Sequence, residues 1–227
     1  MVIPLHDDNP LRHIVHAYAN WTIIALTVLV HLTVGSGLVA GDEGLQRASL
    51  GLGVIPAVLN RYADLPAHLY LIPQVLTPFT YMFLHVDWLH LIGNMLFLWV
   101  FGDNIEDALG SWRYVLFYLA CGVVAALTFA WLGPHASEAP LIGASGAVAG
   151  VIAAYFLLFP HARVWVLLFW RLPLRVEAWL ALGGWIVIQF WQVLSGAQGD
   201  GVAWLAHIGG LAAGAVIILT MRRRIYV

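Results

Sequence analysis

Four polar side chains, His90, Asn94, Ser145 and His207, stand inside apolar runs where each needs a reason to be present. A serine hydroxyl becomes a nucleophile when a base within about 2.6–3.2 Å takes its proton, and His207 is a base of the right kind. Attack of Ser145 on a carbonyl would leave an oxyanion that needs donors. The Asn94 amide, the His90 ring and the backbone N–H of Ser145 at a helix start form the available set. His90 and Asn94 are four residues apart, so a helix carries both on one face.

Other chemistries drop out on residue type. The ten basic residues are all Arg, so a Ser/Lys pair is excluded. No Asp or Glu falls within an expected span, and Asp200, seven residues before His207, belongs to the preceding loop, so a Ser/His dyad is the economical reading. The hydrolase elbow G-x-S-x-G fails because Ala147 stands where its last Gly would be, and the strands that should surround it are not expected. His85 and His90 are five apart with no H-E-x-x-H glutamate, so zinc is set aside, and the lone Cys121 supports neither a disulfide framework nor a metal cluster. No cofactor is called for. No basic stretch suggests nucleic acid.

The elements that must position these residues are membrane helices. Hydrophobic residues make up 62% and charged residues 10% of the 227, against about 45–50% and 25% in soluble domains, and this places the chain in a lipid bilayer. The expected fold class is an all-α membrane protein, a six-helix bundle forming a single domain over 1–227. The expected spans are about Trp21–Ala40, His90–Phe101, Trp112–Leu132, Ala144–Phe159, Ala178–Leu194 and Val202–Met221. Residues 1–20 are read as a cytoplasmic N-terminal segment and 222–227 as a cytoplasmic tail. Between the first two spans, Pro56, Pro66, Pro73 and Pro78 break an apolar stretch, which predicts a long, partly embedded loop with short helices. Counting Arg by side puts both termini in the cytoplasm, with Arg12, Arg113, Arg163, Arg171, Arg175 and Arg222–Arg224 inside and Arg47 and Arg61 outside. His90, Asn94, Ser145 and His207 then share the outer half, with Ser145 recessed at the start of a short helix.

Small residues explain how two of these helices approach. Gly146, Ala149, Gly150, Ala153 and Ala154 give the fourth span a thin face, with Gly143 just before it. In the sixth span His207, Gly210 and Gly214 follow at i, i+3 and i+7, the last two as a G-x-x-x-G pair. Close packing of these faces brings His207 to Ser145. His31 has no comparable partner and reads as structural. The cluster Asp103, Glu106 and Asp107 reads as a solvated cytoplasmic turn with helix-capping duty. Trp88 and Trp112 fit an interfacial belt.

With these residues in place the sequence resembles the rhomboid intramembrane serine proteases. The resemblance rests on His90-Leu91-Ile92-Gly93-Asn94 (H-x-x-x-N), Gly143-Ala144-Ser145-Gly146 (G-x-S-G) and Ala206-His207-Ile208-Gly209-Gly210, and it runs from about Pro78 to Gly214 with the acidic turn Gly102–Gly110. It implies a Ser145/His207 dyad, His90 and Asn94 beside the oxyanion, and cleavage of a partner protein's transmembrane segment near its outer end. Some members stack an aromatic ring from four positions after the serine on the histidine; this sequence has Ala149 there. A chain this short suggests a bacterial inner membrane. Two other readings are a catalytically silent relative that binds transmembrane segments, disfavoured because serine and histidine are both present, and a small channel, disfavoured by the lack of inverted repeats and buried carboxylates.

Overall fold

The computed structural model describes residues 2–36, 41, 43–168, 171–196, 203–221 and 225. In chain order its main elements are β1 (Val2–Asp7), α1 (Tyr18–Val30), α2 (Gly44–Leu52), α3 (Pro56–Leu59), α4 (Thr77–Thr80), α5 (Trp88–Phe97), α6 (Asp103–Leu109), α7 (Ser111–Leu132), α8 (Ser145–Leu158), β2 (Arg163–Leu168), β3 (Leu172–Glu177), α9 (Ala178–Leu194) and α10 (Trp204–Met221). A wider turn, His31–Gly35, extends α1, and another, Leu98–Gly102, joins α5 to α6. Asp200, the Val202 start of the last span, the end of the first span at Ala40 and the Arg222–Arg224 run lie outside the described residues.

The bundle is built around α8. Every residue from Gly146 to Tyr155 is buried, so this helix has no lipid-facing side over most of its length. A helix apolar all round is what an interior position requires. Its neighbours α7 and α10 carry the long apolar runs, and with the Tyr18–Gly35 unit they are the three helices among the described residues long and apolar enough to cross a bilayer. The pair Ala67–Phe83 and Trp88–Leu109, bent by 82°, raises that number to four. α8 and α9 are apolar but shorter. The stretch between α1 and α5 breaks into short pieces, with Pro56 opening α3 and Pro78 in the first turn of α4, where the missing N–H costs nothing.

The chain departs from an all-helical plan in one place. β1, β2 and β3 form an antiparallel sheet in that order, with Val2 opposite Leu168, a register shift between Pro4 and His6, and Arg163 opposite Glu177. β2 alternates, with Val164 and Val166 buried while Arg163 and Trp165 face outward. Pro4 is tolerated because β1 is an edge strand. The sheet meets the bundle through Asp7, which accepts a hydrogen bond from the Tyr155 hydroxyl in the last turn of α8. Burial holds the Asp7 carboxyl up at about 6, outweighing the Tyr155 bond, which favours the charged form. Arg175 Nε donates to Asp8 at 2.7 Å and ties β3 to the residue after β1.

The acidic turn is also different from a solvated one. Glu106 is fully buried, and its carboxylate accepts from the backbone N–H groups of Ala19 (3.1 Å) and Asn20 (2.7 Å) and from the Ser111 hydroxyl (2.6 Å). Asp107, also buried, accepts from the N–H groups of Arg12, His13 and Ile14 at 2.7–2.9 Å. The carboxylates therefore cap the entry to α1, nearly ninety residues away in sequence, instead of facing water. Negative charge at the first turn of a helix satisfies N–H groups that have no intrahelical acceptor.

Candidate active site

Ser145 is the first residue of α8, and its backbone N–H is one of the four that a helix start leaves without an internal partner. Gly143, just before, has φ +120, a conformation L side chains rarely adopt, and a Cβ there would meet the His90 ring at 2.6 Å. Glycine is thus required twice, for the turn that aims Ser145 and for room above His90. The Gly143 N–H donates to the Tyr81 carbonyl at 3.0 Å, and the Ala144 N–H points to His85 Nε2 at 3.4 Å. Together they hold the turn to the segment ahead of α5.

α10 lies backbone-to-backbone on α8. A Cβ on Gly210 would overlap the Gly146 carbonyl, and one on Gly214 would come within 2.7 Å of the Gly150 Cα. On its other side α8 meets α7, where Ala125 and Cys121 fill the space over Gly146 and Gly150. The closeness of α8 and α10 brings His207 Nε2 to 2.9 Å from Ser145 Oγ. His207 is buried and Ser145 partly exposed, so the hydroxyl, not the imidazole, is the group a substrate reaches.

The other face of the imidazole is held by a residue that the sequence reading passed over. Gln189 Oε1 lies 2.7 Å from His207 Nδ1, and Gln189 Nε2 donates to the Trp185 carbonyl at 3.0 Å. A carbonyl only accepts, so the amide must turn its NH₂ to Trp185 and its oxygen to His207. The proton is therefore on Nδ1, and Nε2 is free to accept from Ser145. The signal was available: Gln189 is a polar residue deep in an apolar run, and burying an amide without partners costs about 2–7 kcal/mol. Two indoles flank the same ring, Trp185 with centroids 5.9 Å apart and Trp204 edge-on at 5.7 Å. Ala149 packs in the α8–α10 contact, in one cluster with Ala153 and Leu211 that Trp185 packs against.

Of the remaining expected site residues, His90 stands in the first turn of α5 against Gly143, its backbone N–H capped by Asp87 at 2.7 Å. Asn94 is buried one turn later, and its Nδ2 donates to the His90 carbonyl at 2.9 Å, within its own helix. His90 thus touches the turn before Ser145, whereas Asn94 is engaged along α5. His85 is buried edge-to-face on His90 at 5.0 Å. His31 is buried edge-on against Trp88 at 4.7 Å.

A hydroxyl held by an unprotonated imidazole nitrogen, with helix N–H groups beside it, is equipped for nucleophilic attack on a carbonyl. Comparison with known proteins bears on the family. Residues 73–224, more than half of the chain, match the family model described as the Rhomboid domain. The chain belongs to the rhomboid family. Among its relatives are "Rhomboid protein 1, mitochondrial" of Saccharomyces cerevisiae, 32% identical over 140 residues, and "Rhomboid-like protein 11, chloroplastic" of Arabidopsis thaliana, 33% identical over 150. "Rhomboid protease GluP" of Bacillus subtilis is 37% identical over 81 residues. These matches cover 58%, 61% and 36% of this rhomboid chain, and 38%, 50% and 15% of the relatives' own lengths. With mitochondrial and chloroplastic proteins beside a bacterial one, the relatives give no support to a bacterial inner membrane in particular.

Proposed function

We propose that this rhomboid protein is an intramembrane serine endopeptidase that cleaves transmembrane segments of partner membrane proteins. The observation that carries the reading is the 2.9 Å approach of His207 Nε2 to Ser145 Oγ across the α8–α10 contact. In this mechanism Ser145 attacks the scissile carbonyl as its proton passes to His207 Nε2. The tetrahedral oxyanion forms beside the Ser145 N–H, with the His90 ring and the Asn94 amide as further donors once Asn94 releases the His90 carbonyl. His207 then gives its proton to the leaving amine, and water hydrolyses the acyl-enzyme by the same steps in reverse. The bundle in which this occurs has six spans, with α8 crossing as a short helix sheltered by its neighbours, α9 crossing as a short, largely outward-facing one, and both termini on the cytoplasmic side.

A fluorophosphonate probe tests the nucleophile. The protein is labelled, Ser145→Ala is not, and His207→Ala loses both labelling and cleavage of a model transmembrane substrate. Labelling that persists in Ser145→Ala sinks the assignment. The silent-relative reading predicts no cleavage by the wild type in the same assay.

A further inference from the structure

α9 contributes little to the interior. Of its seventeen residues only Ala178, Leu182 and Gln189 are buried, and next to Gln189 the side chains of Val187, Ile188, Phe190 and Trp191 are 48–68% exposed. On a helix whose neighbouring apolar residues face outward, one of its two glutamines, Gln189, turns inward and is 2% exposed, while Gln192 keeps partial exposure. Packing alone does not ask for this, since a leucine or methionine would fill the same space without burying an amide. Each half of the amide has one partner, and one of those partners is the Nδ1 of the histidine whose Nε2 faces Ser145.

We propose that Gln189 is the positioning residue of His207, a neutral third member that fixes the imidazole as its Nδ1–H tautomer and aims Nε2 at Ser145. This rests on the protease reading for its consequence in catalysis, though the tautomer itself does not. The geometry is that of an orienting acceptor behind a histidine base, with an amide oxygen in place of a carboxylate. Without it, no other described residue accepts from Nδ1–H, and the imidazole is free to adopt the Nε2–H form, whose Nε2 cannot accept from a hydroxyl. The Trp185 and Trp204 rings restrict the tilt of the imidazole but offer its Nδ1 no acceptor.

The test uses Gln189→Met, which keeps the volume and removes the acceptor, and Gln189→Glu, which restores one. With a soluble reporter peptide or a transmembrane substrate, Gln189→Met is expected to lower kcat on the order of 10- to 100-fold, as loss of a tautomer-fixing partner does elsewhere. KM and the unfolding midpoint stay near wild type, and Gln189→Glu recovers most of the loss. Nitrogen-15 histidine spectra, with His207 assigned by its absence in His207→Ala, read the tautomer directly: Nδ1–H in the wild type and a mixture in Gln189→Met. Wild-type kcat in Gln189→Met, or an unaltered tautomer, overturns the proposal; an activity loss matched by equal destabilisation and not recovered by Gln189→Glu assigns the residue to interhelical adhesion and also overturns it. Should Gln189→Met fail to fold, Gln189→Asn, whose amide stops one carbon short, is read by the same criteria. If the wild type is never labelled at Ser145 the protease reading fails on its own, while the tautomer measured in the Ser145→Ala background still decides the role of Gln189.

Discussion

Replacing Gly210 with alanine tests the claim that the distance between α8 and α10 sets the Ser145–His207 geometry. The new Cβ would sit 2.8 Å from the Gly146 carbonyl carbon and overlap its oxygen. Ordinary carbon–carbon contact needs about 3.5–4.0 Å, so the helices must part by roughly 0.7–1.2 Å at that level. Ser145 is one residue from Gly146, and His207 is one turn from Gly210, so the opening acts close to the pair. The 2.9 Å contact would stretch to about 3.6–4.1 Å, beyond hydrogen-bond range. A misplacement of about 1 Å costs on the order of 100-fold in rate, and overpacking costs about 1–3 kcal/mol in stability. The assay is the second-order rate of fluorophosphonate labelling at Ser145, with the unfolding midpoint measured in the same detergent. Labelling of Gly210→Ala at the wild-type rate, in a protein that unfolds at the wild-type midpoint, would refute the reasoning, because the backbone contact would then set nothing.

Three further outcomes follow from other parts of the molecule. Asn94→Ala is expected to lower turnover of a transmembrane substrate by about 10²–10³-fold if its amide joins the oxyanion site; turnover within twofold of wild type removes Asn94 from the mechanism. The raised Asp7 carboxyl means that the folded chain keeps a proton that the unfolded chain has lost between the usual 3.8 and about 6. The Asp7 contribution to stability therefore falls as pH rises through that window and is level above it. It is read as the difference in thermal midpoint between the wild type and Asp7→Asn, which still accepts from Tyr155, from pH 4 to 7, because burial also holds up the Asp103 carboxyl and adds its own slope to both proteins. Glu106→Ala leaves the buried Asn20 N–H and the partly buried Ala19 N–H without their acceptor, at about 1–3 kcal/mol for the buried one, and a clear drop in unfolding midpoint checks it.

Local signals carried much of the bundle. Ala178–Leu194 coincides with α9, and Trp112–Leu132 falls one residue short of α7, because an apolar run between breakers leaves a helix few other ways to end. Ser145 opens α8 where the small-residue run begins, and glycine spacing in α10 foretold the backbone contact because only glycine lets two helices approach so closely. The sheet was less legible. Only β2 alternates clearly between buried and exposed residues, each strand is only six residues long, and β1 contains Pro4, which argues against a strand unless its edge position is known. The partners of Glu106 and Asp107 lie about ninety residues away, so their sequence neighbourhood resembles any acidic turn. Gln189 was hidden for a different reason: the acceptor behind a histidine base is ordinarily a carboxylate, and an amide oxygen accepts from an imidazole N–H equally well in geometry.

The sheet also has a consequence for the order in which the chain takes shape. β1 precedes all of the described helices in the chain, yet its partner β2 begins only at Arg163, after α8. At roughly 5–20 residues per second, β1 waits on the order of 10–30 s for the residues that complete its ladder. Five of the helices longer than eight residues, α1, α2, α5, α7 and α8, are made in that interval. Asp7 reaches Tyr155 across 148 positions of sequence. β1 is therefore placed late relative to its own synthesis, and its pairing marks a chain in which α8 has already been made.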